Sequence, residues 1–164
     1  MYEIVTVEKK GTVVRIGIIL LGTVTLVFSS TNFVDAARKQ KEFRDTEPNN
    51  TLETANRLDL GYDCVVYGNL NLEDKDGIDI FRFSPSDTMK VEVTLQGMHD
   101  DNDFDLFVRN SKGKIIKKSL NLSNDMEKII FEAEEWEDCY IEVSSSVRGN
   151  EDNNFDYILV AEKY

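Results

Sequence analysis

The chain has 164 residues, enough for one ordinary domain and too few for two. A hydrophobic share of 41%, a charged share of 30%, two Pro and nine Gly exclude collagen-like, mucin-like and low-complexity chains. Acidic residues outnumber basic ones 31 to 19, for a net charge of −12, a field that repels nucleic acid and anionic headgroups and attracts cations. One His and two Cys exclude a His-rich metal site and a multi-cysteine zinc site.

Residues 16–28 read IGIILLGTVTLVF with no charge, after Lys9, Lys10 and Arg15 and before Val34-Asp35-Ala36. A basic flank, a short apolar stretch and small residues at −3 and −1 describe a secretory signal peptide over residues 1–36. As a helix the stretch reaches only about 20 Å, short of a ~30 Å hydrocarbon core. The alternatives are a buried core helix and an uncleaved membrane anchor. Segment 1–36 carries three basic and three acidic residues, so the whole imbalance belongs to residues 37–164. Residues 37–46 (ARKQKEFRDT) are polar with no apolar period and read as a linker.

Residues 51–58 look helical, as one or two turns with Ala55 and Leu58 facing inward. From Cys64 onward the period changes to two. Met89, Val91, Val93 and Leu95 alternate with polar residues, as do Cys139, Ile141 and Val143. Further runs cover 64–70, 78–84, 104–109, 114–117, 128–133 and 155–161, separated by clusters of Asn, Asp, Gly and Ser. About eight such strands predict an all-β, antiparallel β-sandwich of jelly-roll type over residues 47–164, preceded by the N-terminal hydrophobic helix.

Within that region the order of short motifs is specific. Glu47-Pro48-Asn49-Asn50 precedes Val66-Tyr67-Gly68, then Asp76-Gly77-Ile78-Asp79-Ile80-Phe81-Arg82-Phe83. Asp103-Phe104-Asp105-Leu106-Phe107, Cys139-Tyr140-Ile141-Glu142-Val143 and Tyr157-Ile158-Leu159-Val160 follow. This order resembles the bacterial pre-peptidase C-terminal domain, also found as the collagen-binding domain of clostridial collagenases, over residues 45–164. The resemblance implies a secreted jelly-roll sandwich without catalysis of its own, which attaches a protease to substrate or aids its export and stability. Residues 1–46 read as signal and linker, so a free-standing copy is expected. The expected partner is an extracellular polymer or a secreted protein such as a protease, with a membrane involved only if the N-terminal segment stays uncleaved. A purely structural escort of a separately encoded protease, and a jelly-roll hydrolase, are the other readings.

Asp45, Glu47, Asn49 and Asn50 form one oxygen-rich segment, and Asn69, Glu73, Asp74, Asp76 and Asp79 another. Carboxylates and amide oxygens are hard ligands suited to Ca²⁺, which takes about six to eight of them. Carried over by position, the resemblance implies Asp45, Glu47, Asn49, Asn50, Asn69, Asp76 and Asp79 as calcium ligands. The alternative is a solvated loop pair whose Asn and Asp stabilise local turns.

Cys64 and Cys139 both follow inward parity, which suits either a disulfide or two buried thiols. His99 beside Asp100 has no G-x-S-x-G nucleophile to serve, and Asp103 with Asp105 would lie on one strand face, as a glycosidase carboxylate pair in a jelly roll could. No catalytic site is expected. Tyr62, Tyr67, Phe107, Trp136 and Tyr140 are candidates for an aromatic ligand face, but Val143 and Ser144 to Ser146 stand where collagen-binding relatives carry aromatics.

Overall fold

Short runs rich in β-branched residues begin the chain, and they pair as strands. In a computed structural model describing residues 3–9, 12–18, 29–30, 39–71, 77–98, 102–122, 125–145 and 154–164, the chain divides into units Met1–Ala37 and Arg38–Tyr164. In the first unit, β1 (Glu3–Lys9), β2 (Thr12–Ile18) and β3 (Ser29–Ser30) form an antiparallel sheet in that order. Residues 16–18, expected to open the hydrophobic helix, end a strand instead, registered Val5↔Ile16 and Glu3↔Ile18. Val13, Val14, Ile16 and Ile18 are β-branched and favour extended backbone. Residues 19–28 of the expected helix, and the cleavage site at 34–36, lie outside the described residues. Among the described residues no helix is long and apolar enough to cross a membrane.

The second unit is all-β. It contains β4 (Gln40–Arg44), β5 (Asn56–Arg57), β6 (Asp63–Asn71), β7 (Ile78–Phe83), β8 (Met89–Gly97), β9 (Phe104–Arg109), β10 (Ile115–Ser119), β11 (Glu127–Ala133), β12 (Cys139–Ser145) and β13 (Asn154–Lys163). One sheet runs β11-β8-β13-β6-β4 and the other β10-β9-β12-β7-β5. Numbered from β6, the eight strands read from alternation fall in the orders 6-3-8-1 and 5-4-7-2. Successive strands thus change sheets in the jelly-roll manner, except where β9 and β10 form a hairpin. That hairpin turns on Gly113 at φ 75, with the Asn110 side chain accepting from the N–H groups of Lys112 and Lys114.

The period-2 pattern sends one face of each sheet inward. Val66, Val91, Val93, Leu95, Leu159 and Ala161 meet Phe81, Phe83, Leu106, Val108, Ile141 and Val143 in one core. Each large apolar side chain so buried contributes roughly 1.5–3 kcal/mol. Rings cross the layer: Phe83 lies 6.2 Å from Phe131, and Phe104 lies 5.6 Å from Tyr157.

Two local expectations fail at the sheet edges. The linker over 37–46 contains β4, which pairs parallel to β6 from Gln40↔Asp63 to Arg44↔Tyr67. As an edge strand it exposes both faces except at Phe43, so it carries no apolar period. The helical reading of 51–58 gives way to a Thr51–Thr54 turn and β5, parallel to β7. There the Thr51 and Thr54 hydroxyls bond each other and the backbone, competing with helix propagation. Leu58 is buried as expected and Ala55 half-buried.

Of the two fates left open for Cys64 and Cys139, the structure has buried free thiols. Cys64 Sγ donates to the Asp59 carbonyl at 3.2 Å. Burial pushes both thiols up, Cys139 to about 11 with Asp138, Glu137 and Glu134 adding to the effect, which leaves them poor nucleophiles.

Candidate metal centre

The Glu47-Pro48-Asn49-Asn50 segment reaches the second sheet through the backbone. The Asn49 carbonyl accepts from Ile80 N–H at 2.9 Å, and Asn49 N–H donates to Glu47 Oε2 at 3.1 Å. The Glu47–Pro48 peptide is cis. Just before it, Asp45 N–H donates to the Tyr67 carbonyl at 3.3 Å, while Asn69 N–H donates to Asp45 Oδ2 at 3.1 Å. Residues 45–49 thereby bridge β6 and β7, one strand from each sheet.

Asp79, on β7, is fully buried, as is Asn49. Asp45, Glu47 and Asp79 each place a carboxylate oxygen within 4.8 Å of the other two. Oxygens ligating one Ca²⁺ at about 2.3–2.6 Å stand at most about 5 Å apart, so this spread suits Ca²⁺. The Asn49 amide lies among the same oxygens. Its Nδ2 donates to Asp79 Oδ1 at 3.0 Å and Glu47 Oε1 at 3.3 Å, so in this structure an amide donor stands among the carboxylates. One acceptor-rich pocket therefore accommodates either a hard cation or an amide donor.

A residue without an assigned role in the sequence reading completes this centre. The Tyr157 hydroxyl donates to Asp79 Oδ2 across the core. The ring has room because Tyr157 lies opposite Gly68 on β6 and Gly97 on β8. A Cβ on Gly68 would stand 2.1 Å from Tyr157 Cζ. The signal was present in the Val66-Tyr67-Gly68 and Tyr157-x-Leu159 motifs, but nothing local marks a glycine and a tyrosine 89 positions apart as partners.

The remaining candidates divide. Asn69 contributes its backbone N–H to Asp45, while its side-chain Nδ2 donates to Asp156 Oδ1 at 2.8 Å, so its amide is turned toward β13. Asn50 is half-buried beside Asn49. Asp76 lies outside the described residues, as do Glu73, Asp74, His99 and Asp100. Asp103 and Asp105 remain the carboxylate pair on β9 and its approach; burial, then the Asp103 charge, raises the Asp105 carboxyl. The candidate aromatics scatter: Tyr140 is buried on β12, and Trp136 is 73% exposed in the β11–β12 turn.

Tyr157 supplies a pH signature. Burial, then the Asp79 charge and the hydrogen bond to it, with Asp45 and Glu47 adding, hold the phenol well above its ordinary value. The unfolded phenol ionises near pH 10. Because the folded value is raised, this stability is whole below about pH 10 and is lost as pH rises from there toward the folded value. Urea midpoints should fall between pH 9 and pH 11, and fall less in Tyr157→Phe. Equal falls in both proteins would contradict the assignment.

No protein-family model matches the chain, and no curated protein matches it. Among solved structures it is similar to the pre-peptidase C-terminal domain of collagenase from Bacillus anthracis. The identity is 15%, over 72% of this chain and all of that one, with a TM-score of 0.54. It is also similar to the Yersinia pseudotuberculosis-derived mitogen at 12% identity and TM-score 0.46, over 62% of this chain and 86% of that one. The periplasmic inhibitor of g-type lysozyme PliG from Aeromonas hydrophila aligns at 8% identity and TM-score 0.39, over 77% of this chain and 98% of that one. The β-sandwich of residues 38–164 thus has the fold of a pre-peptidase C-terminal domain, as the order of sequence motifs implied.

Proposed function

We propose that the chain is an exported, calcium-dependent β-sandwich module that performs no catalysis and binds an extracellular polymer or a secreted protein, including a protease. The observation that carries this reading is the convergence of Asp45, Glu47 and Asp79 around the Asn49 amide. Those four residues would hold the ion, with Asn50 and Asp76 as further oxygen donors. Bound there, Ca²⁺ neutralises clustered carboxylates and ties the segment before β5 to β7. The fold shared with a collagenase's pre-peptidase C-terminal domain supports a role beside secreted enzymes. The apolar stretch at 16–28 supports export, with cleavage after Ala36 or retention as a surface anchor.

The test is thermal melting in EDTA against millimolar Ca²⁺ at matched ionic strength. An ion bound only by the folded state adds roughly 2.7 kcal/mol at about 100 times its dissociation constant, a rise of several degrees for a chain this size. Mg²⁺ should do much less, because it requires tighter octahedral geometry and keeps its water. Coincident melting curves with and without Ca²⁺ would sink the calcium reading.

A further inference from the structure

We infer that the side of the sandwich bounded by β4 and β5 is a docking groove for an acidic, extended polypeptide. The inference rests on the reading of the chain as a binding module and names the class of partner. A groove of about 720 Å³ lies there, with Phe43, Leu58, Leu60 and Met89 as its apolar surface and Lys41 and Arg57 among its walls. A second cavity of about 230 Å³ shares Phe43, Arg57 and Leu58 with it and adds Arg44. Lys41, Arg44, Arg57 and Lys163 therefore stand in the linings of two neighbouring cavities, in a chain whose acids outnumber its bases 31 to 19.

Among the described residues Lys41, Arg44 and Arg57 pair with no carboxylate, and Lys41 Nζ instead sits 5.0 Å from the Phe43 ring centroid and 5.8 Å from that of Tyr62. The two acids in the wall are engaged. Asp87 pairs with Lys163 at 3.0 Å, and Asp59 accepts from Gly61 N–H at 3.1 Å. The two linings together hold four cationic side chains, Lys41, Arg44, Arg57 and Lys163, against two acids, Asp59 and Asp87, so an entering carboxylate would meet an excess of positive charge over an apolar floor, where screening is weaker than on open surface.

Main-chain geometry selects a polypeptide among anionic ligands. β4 ends one sheet and β5 ends the other, so each presents an edge on which an extended chain could add a strand. The apolar floor suits every second side chain of such a chain, as an anionic polysaccharide would not. Beyond the end of β4 a reciprocal pair ties the chain to β5, Thr46 N–H to Asn56 Oδ1 at 2.7 Å and Asn56 Nδ2 to the Thr46 carbonyl at 2.8 Å. Thr46, which lines the second cavity, stands between Asp45 and Glu47 of the candidate metal centre.

The experiment titrates the full chain into fluorescein-labelled octapeptides of alternating Val-Glu, Val-Ser and Val-Lys and reads fluorescence anisotropy. The Val-Glu peptide should bind best and weaken as salt rises. The double variant Lys41→Glu, Arg57→Glu should lose at least about tenfold in affinity, since reversed charges oppose the approaching acid. Lys117→Glu, Lys118→Glu, on β10 at the far edge of the same sheet as β5, should change affinity by less than about twofold if the site is the groove. Both positions are exposed, and an unchanged circular dichroism spectrum certifies the fold of each variant. Equal binding of Val-Ser, an equal loss in the β10 variant, or preference for polygalacturonate over Val-Glu would overturn the proposal. Calcium-dependent melting is read without any peptide, so failure of the groove and failure of the calcium centre are separate results.

Discussion

Gly68→Ala should be among the most damaging single-methyl changes available in this chain, costing about 3 kcal/mol or more, at or above the upper end of overpacking effects. The reason is space, not backbone conformation, because Gly113 is the glycine with positive φ among the described residues. The added Cβ would lie 2.1 Å from Tyr157 Cζ, 2.2 Å from its hydroxyl and 2.6 Å from Cε2. The ring is fully buried, packs on Phe104 and is anchored to Asp79 through its hydroxyl. It can withdraw only by breaking that hydrogen bond and leaving Asp79 short of a donor inside the protein. Urea denaturation reads the cost directly. Tyr157→Leu should be destabilising alone yet less so in the Gly68→Ala background, since the two residues contend for one volume. A Gly68→Ala protein within 1 kcal/mol of the parent, or strictly additive costs, would show that the ring is not held where the structure places it.

The parts of the fold legible in the sequence are those where one face of a strand is buried. Met89 to Leu95 and Lys128 to Ala133 alternate cleanly because β8 and β11 bury one face and wet the other. β4 and β5 were invisible for the complementary reason. An edge strand is held by backbone hydrogen bonds, which are indifferent to side-chain type, and Gln40–Arg44 keeps one apolar anchor, Phe43. At the candidate centre, the acidic residue types of Asp45, Glu47 and Asp79 are readable in the sequence, and the fold brings their carboxylate oxygens together beside the Asn49 amide. Asn69 is implied by the resemblance through its position, and its side-chain Nδ2 donates to Asp156 across the β6–β13 pair. Which way a side chain turns in a strand next to an acidic neighbour depends on the partner strand. That information enters only with register.

Asp79→Asn should separate the two energies that meet at the metal centre. In the parent without calcium, Asp79 is buried with carboxylates of Asp45 and Glu47 within 4.8 Å. Glu47 is exposed and screened by solvent, so its repulsion with Asp79 is on the order of 1 kcal/mol, and half-buried Asp45 adds to it. Asparagine has nearly the same shape, and its oxygen can still accept from the Tyr157 hydroxyl. Its Nδ2 can donate to the neighbouring carboxylates, as the Asn49 amide does. In EDTA the variant should therefore melt no lower than the parent, and by this arithmetic somewhat higher. In calcium the order should reverse, because the ion loses an anionic ligand and most of the calcium-dependent rise disappears. Asp79→Ala should lose that rise too, but it should also melt lower in EDTA, since it leaves the Tyr157 hydroxyl buried without its acceptor. The crossing of the parent and Asp79→Asn curves between chelator and calcium is the discriminating result. A variant that melts lower than the parent by the same margin in both buffers would make Asp79 a structural acceptor for Tyr157 and nothing more.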